Sequence, residues 1–233
     1  MQIEDLMQIH LTPDAILTRW KQSEAQSRDQ NLGDIAAGLQ IAEAELMAAR
    51  VGMGVVRLRP EWNHLLAAIV KLGAVRAVTG NSSVTLETIG CYPVLRQLEL
   101  CSLAASDGID LRLSLPFWES AFAVVERIAG GDGLSRSIHF YGKDGKPVHR
   151  IFLTPASSVN GFEEIVERFL HPTQSRTQTV DLHFGIPARV SREDVNREIF
   201  LERWAGMRDT REFFTLLHDF QLSRQDAFLL GER

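Results

Sequence analysis

The side chains best able to bind a metal or move a proton here are seven histidines, His10, His64, His139, His149, His171, His183 and His218. A helical metal site needs two of them four residues apart, so that both imidazoles leave one face, and no pair has that spacing. His139 and His149 flank a turn, where adjacent strands would set them facing each other in a structural role. Cys91 and Cys101 are too few for a disulfide framework or a structural zinc site, and both read as reduced core or strand residues. No Gly-x-Ser-x-Gly elbow, Walker-type phosphate loop, His-Glu-x-x-His pair or dinucleotide fingerprint occurs, which disfavours hydrolase and nucleotide chemistry. Gly130-Gly131-Asp132-Gly133 lies between two strand candidates, so it reads as a hairpin loop.

The elements that must position such residues change period along the chain. From Thr12 to Val51 the pattern is helical: Thr12-Pro13-Asp14 opens a helix with Ile16, Leu17 and Trp20 on one face, and two short helices follow at Gly33 to Leu39 and Ala42 to Arg50. Val55 to Arg59 reads as a strand stopped by Pro60, and Glu61 to Leu72 as an amphipathic helix. The period then falls to two, with strand candidates at Ala74 to Gly80, Val84 to Ile89, Leu95 to Leu100, Ile109 to Leu115, Ala121 to Glu126, Ser135 to Tyr141 and Val148 to Leu153. Gly142-Lys143-Asp144-Gly145-Lys146 supplies a hairpin turn. Phe162, Ile165, Val166 and Phe169 mark a helix from Val159 to Leu170. The expected fold is α+β, an antiparallel sheet meander covered by N-terminal and C-terminal helices.

The chain also repeats itself. Ile16-Leu17-Thr18-Arg19-Trp20 recurs as Phe200-Leu201-Glu202-Arg203-Trp204, and Gln40-Ile41 recurs as Gln221-Leu222, so the last helices read as the start of an incomplete second repeat. The expected organisation is a first repeat over 1–171, a linker over 172–192 rich in Pro, Gly, Ser and Thr, and a helical segment over 193–233. Apolar residues make up 45% and charged residues 24%, a globular balance. A net charge of -5 argues against a general nucleic-acid binder. With neither a signal-peptide pattern nor a long apolar run, the expected location is the cytoplasm, with no membrane span.

Several stretches, taken in order, resemble the first repeat of the hemin-degrading and hemin-transport proteins of the HemS/ChuX type. They are Asp34-Ile35-Ala36, Glu43-Ala44-Glu45-Leu46, Ala49-Arg50-Val51-Gly52, Asp110-Leu111-Arg112-Leu113 with Trp118, Ser137-Ile138-His139-Phe140-Tyr141, and Val148-His149-Arg150-Ile151-Phe152. Trp204 to Leu217, with Leu222-Ser223-Arg224-Gln225, is similar to the start of that family's second repeat. The resemblance implies a cytoplasmic protein that holds heme, or a related tetrapyrrole, in a cleft between sheets and helices and delivers it or breaks it down.

In longer members the resemblance places the iron ligand in an Asp-x-His-x-Phe-Phe pattern, with an arginine of an Asp-Leu-Arg-Leu strand on the other side of the heme. This chain keeps that arginine as Arg112 and carries Arg211 at the histidine's position. Guanidinium stays protonated and offers iron no lone pair, but its planar fork suits a heme propionate. His218, seven residues on and near the same helical face, is the replacement ligand in this reading. Arg112 also has a reading without heme, since a strand residue between Leu111 and Leu113 points away from both. Other departures are Leu98-Glu99-Leu100-Cys101-Ser102-Leu103, replacing a stretch with glycine and histidine, and Thr85-Leu86, where a histidine is often found. The expected function is heme binding with altered or weakened iron ligation. The alternatives are an interaction module without heme chemistry, covered by a second copy of the chain or a second-repeat partner, and a heme-degrading enzyme.

Overall fold

The computed structural model describes residues 11–26, 32–81, 84–92, 96–97, 102–105, 109–128, 131–181, 192–208 and 212–231. The chain divides into two compact units, 1–182 and 183–233.

The first unit opens with three helices, α1 (Pro13–Gln26), α2 (Leu32–Gly38) and α3 (Glu43–Ala49). Their apolar positions meet in a small cluster around Ile16, Ile35, Leu46 and Ala49. After β1 (Val55–Leu58) comes α4 (Trp62–Ile69), then β2 (Ala74–Gly80) and β3 (Thr85–Cys91). Three short strands follow, β4 (Arg96–Gln97), β5 (Ser102–Ala105) and β6 (Asp110–Leu113). Three long ones complete the sheets, β7 (Trp118–Arg127), β8 (Leu134–Gly142) and β9 (Pro147–Leu153), before α5 (Val159–Phe169). Every strand pairing is antiparallel.

The fold is therefore α+β, with a topology richer than a chain-order meander. The large sheet runs β1-β7-β8-β9-β2-β3, and β4-β5-β6 form a separate small sheet. β5 has no counterpart among the expected strands: Ser-Leu-Ala-Ala offers little β propensity, and its pairing depends on tertiary context. One face of the large sheet packs under α4 and α5 in the main core, joined by Ile109 and Leu113 from beside and within β6. The other face carries Val55, Phe122, Val124 and Tyr141, against which α3 lays Ala44, Met47 and Ala48. At the sheet's outer margin β3 is exposed along almost its whole length, including Leu86 at 68% and Ile89 at 64%.

Residues 171–181 are laced onto this unit. The Arg57 amide donates to Gln174 Oε1 (2.8 Å), the Arg57 guanidinium reaches Gln178 Oε1 (2.7 Å) and the Thr177 carbonyl (2.9 Å), and Arg176 bonds Asp14 (2.8 Å). The Asp181 amide closes the strap on the Lys143 carbonyl (2.8 Å).

The second unit contains α6 (Arg197–Ala205), α7 (Glu212–Asp219) and α8 (Arg224–Gly231). Its core repeats that of α1–α3 position by position. Leu11, Ile16, Leu17 and Trp20 correspond to Val195, Phe200, Leu201 and Trp204, and Leu32, Ile35, Ala36 and Leu39 to Phe213, Leu216, Leu217 and Phe220. Ile41, Leu46 and Ala49 correspond to Leu222, Ala227 and Leu230. The turn between the second and third helices repeats as well. Gln40 (φ 57°) and Gln221 (φ 51°) are the non-glycine residues with positive φ among those described. In each, the following amide bonds back to the helix, Ile41 to Ala36 O (3.1 Å) and Leu222 to Leu217 O (3.0 Å), a Schellman-type ending.

Candidate functional site

Glu43–Leu46 of α3 meets the paired stretches Ser137–Tyr141 and Val148–Phe152, about a hundred residues later in the sequence, at one face of the large sheet. Glu43, 6% exposed, accepts from the Tyr141 hydroxyl (2.8 Å) and from Arg150 Nη2 through both carboxylate oxygens (2.5 and 2.7 Å). A buried carboxylate requires such partners. Burial, and then the Glu43 charge, hold the Tyr141 phenol protonated far above its ordinary range. Nearby, the Arg50 guanidinium pairs with Glu126 and lies 4.4 Å from the Trp20 ring centroid. The sequence marks these residues only as a glutamate in an apolar helix and an arginine within a strand.

A cleft of about 1550 Å³ opens beside this network, between α1–α3, the β8–β9 hairpin and strap residues 176–180. Ile16, Leu39, Ile41, Val148 and Val180 give it apolar walls. Of its four cations among the described residues, Arg150, Arg176 and Lys146 are paired with Glu43, Asp14 and Asp144, and Arg19 is the fourth.

The two strand histidines do not face each other. Phe140 pairs with His149 and His139 with Arg150, so the histidines are offset by one residue and leave opposite faces of the sheet. His139 Nε2 meets Ser137 Oγ (2.9 Å), while its Nδ1 is enclosed without a partner. Burial first, then the Arg150 and Arg50 charges, push its pKa down to about 3. His149 lies on the core face with Thr79 Oγ1 2.8 Å from Nδ1 and the Tyr92 hydroxyl 3.5 Å from Nε2. Burial lowers its pKa to about 4. Both rings are neutral near pH 7 and walled in, which suits structure rather than metal ligation. Of the remaining described histidines in this unit, His64 is exposed beside Glu61 (3.5 Å), and His171 Nδ1 lies 2.8 Å from the Thr173 carbonyl and 3.0 Å from its amide. Cys91 ends β3 and is exposed; Cys101 lies outside the described residues.

Arg112 is on β6, in register with Leu103 of β5. Arg211 lies outside the described residues. His218 is on α7, in the second unit. Among the described residues no group of three or more His, Cys, Asp or Glu side chains forms a metal site, and no helix is long and apolar enough to cross a membrane.

Two antiparallel sheets, helices on both faces of the larger one, and a helical triplet built twice define the class of protein. The family model for the haemin-degrading HemS/ChuX domain matches residues 40–169, and the chain belongs to that family. It is 29% identical over 215 residues to the hemin transport protein HmuS of Yersinia pestis, covering 92% of this chain and 61% of that protein. Holo-PhuS, a heme-binding protein from Pseudomonas aeruginosa, superposes with a TM-score of 0.85 at 33% identity, over 96% of this chain and 64% of that one. The heme-degrading enzyme ChuS of Escherichia coli O157:H7 gives 0.79 at 27% identity, over 94% and 62%. The chain thus spans about three fifths of the length of these three relatives.

Proposed function

We propose that this chain binds heme and serves hemin uptake, trafficking or utilisation in the cytoplasm, with iron ligation weaker than that of histidine-bearing relatives. The observation that carries the reading is the superposition on holo-PhuS along almost the whole chain. The donor chemistry fits a heme in part. Arg112 and Arg211 are of the type that binds propionates, whereas the buried His139 and His149 have no open side for an iron. The ligand in this reading is His218, on the helix that follows Arg211. When bound, the heme would supply the redox-active iron and the chromophore by which binding is read.

Hemin titrated into the purified chain is expected to give a saturable Soret shift at micromolar concentration. A linear, unsaturated response would sink the proposal. Arg211→His is expected to raise affinity roughly tenfold if the cleft is otherwise intact, since it restores an imidazole where a cation stands. Heme breakdown, the activity of ChuS, is tested in the same cuvette by adding ascorbate and following loss of the Soret band.

A second reading, an interaction module, is favoured by one comparison within the chain. Met47 and Ala48 are buried against the sheet at 1% and 0% exposure, while Phe228 and Leu229, at the equivalent positions of α8, are 58% and 40% exposed. A second-repeat partner or a second copy of the chain would cover them. Light scattering of Phe228→Asp against the parent chain tests self-association: a monomer at all concentrations in both would exclude the second copy.

A further inference from the structure

The small sheet is an excursion of the chain, and both of its ends close on one imidazole. Tyr92, directly after β3, brings its hydroxyl to His149 Nε2 (3.5 Å) with ring centroids 5.9 Å apart. Trp118, at the start of β7, stacks on the same ring at 6.4 Å and 25°. Between them run β4, β5 and β6, with Arg112 on the last. His149 belongs to the large sheet, where its register is fixed opposite Phe140. Tyr92 and His149 are 1% exposed and Trp118 6%, so the junction is closed to bulk solvent.

The ring's hydrogen-bond roles follow from its neighbours. Burial holds the Tyr92 phenol protonated, so it donates to Nε2. Nδ1 then carries the imidazole proton and turns it toward β2, where Thr79 Oγ1 and the Val78 backbone receive the ring. One neutral imidazole thus joins β9, β2 and both connections to the small sheet, and replacing it by an apolar residue would strand the buried Tyr92 hydroxyl and leave the half-buried Thr79 hydroxyl without this partner.

We propose that His149 is a positioning residue: it fixes the small sheet on the large one, sets where the Arg112 strand lies, and so governs hemin affinity without touching the ligand. The last step rests on the heme-binding reading above. The test combines amide hydrogen exchange with hemin titration on the full chain, using Tyr92→Phe, His149→Leu and His149→Gln, with Arg112→Ala as a control. Losing one such hydrogen bond is expected to speed exchange at 102–105 and 110–113 about tenfold, with 121–124 of β7 unchanged, and to weaken hemin binding about fivefold. His149→Gln keeps a polar atom near the Nε2 position and is expected to fall closer to the parent. Unchanged exchange in the small sheet would overturn the proposal, as would an equal rise in β7, which marks general destabilisation. Parent-like hemin affinity in His149→Leu, while Arg112→Ala lowers it, would overturn it too. Should the parent chain itself show no saturable hemin response, the heme reading falls and the exchange arm alone decides the positioning role.

Discussion

His139 and His149 store a pH dependence in the folded chain. Each has a folded pKa, about 3 and about 4, below the ordinary 6.5 of an exposed imidazole. Below pH 6.5 the unfolded chain therefore takes up protons that the folded chain refuses. The stability these rings contribute is complete above that pH and is lost as pH falls toward 4, by about 1.4 kcal/mol per pH unit for each ring. Urea denaturation at pH 7.5, 6 and 5 should show a declining midpoint; a flat midpoint would mean that the rings are protonated inside. Glu43→Gln tests the other buried cluster. It removes the charge facing Arg150, and a loss of about 3 kcal/mol is expected in the same assay, because the guanidinium stays behind unbalanced. At this scale the sequence was readable for residue type and not for neighbours. His139 and His149 could be assigned to structure, but the register that sends them to opposite faces is set by the bulge between Phe140 and Tyr141, which no spacing announces.

Elements were more legible where one physical rule dominated. The 3.6 period gave the helices and alternation gave the long strands, since each buries one stripe or one face. Sheet order was hidden because β1 and β2 reach their partners β7 and β9 across most of the first unit, and long-range pairing leaves no local trace. Segment 171–181 was also opaque: its polar composition reads as linker, yet glutamine and arginine side chains tie it down. Gly145 reports how tight that strap is. At φ 71° an added Cβ would stand 2.5 Å from Ala42 Cβ and 2.6 Å from Val180 Cγ1. Gly145→Ala is expected to cost about 1–3 kcal/mol and to lift the strap, exposing Arg176 to trypsin. Peptide mapping that finds Arg176 equally resistant in the variant would show that the strap does not depend on this contact.

For the whole molecule the decisive feature is that its two units carry one helical design twice. The sequence disclosed this through two short matches, and the structure extends it to eleven apolar positions of each triplet, with Met207 the one described cluster residue that has no counterpart. Phe200, fully buried at the centre of the second cluster, tests whether that cluster holds its unit together. Phe200→Ala is expected to cost its unit about 3–5 kcal/mol while leaving amide protection in β7–β9 intact. Equal loss of protection in both units would show that they unfold as one. The outer margin of the large sheet has a consequence of a different kind. Natural sheets guard such margins with charges, prolines or bulges, and in β3 the lone charged residue, Glu87, is engaged by Arg76 on the neighbouring strand (3.0 Å). Leu86 and Ile89 are left facing solvent on that strand, a template for aggregation when the chain is concentrated. Ile89→Lys would act as a gatekeeper there, raising the concentration at which the protein precipitates without altering its fold.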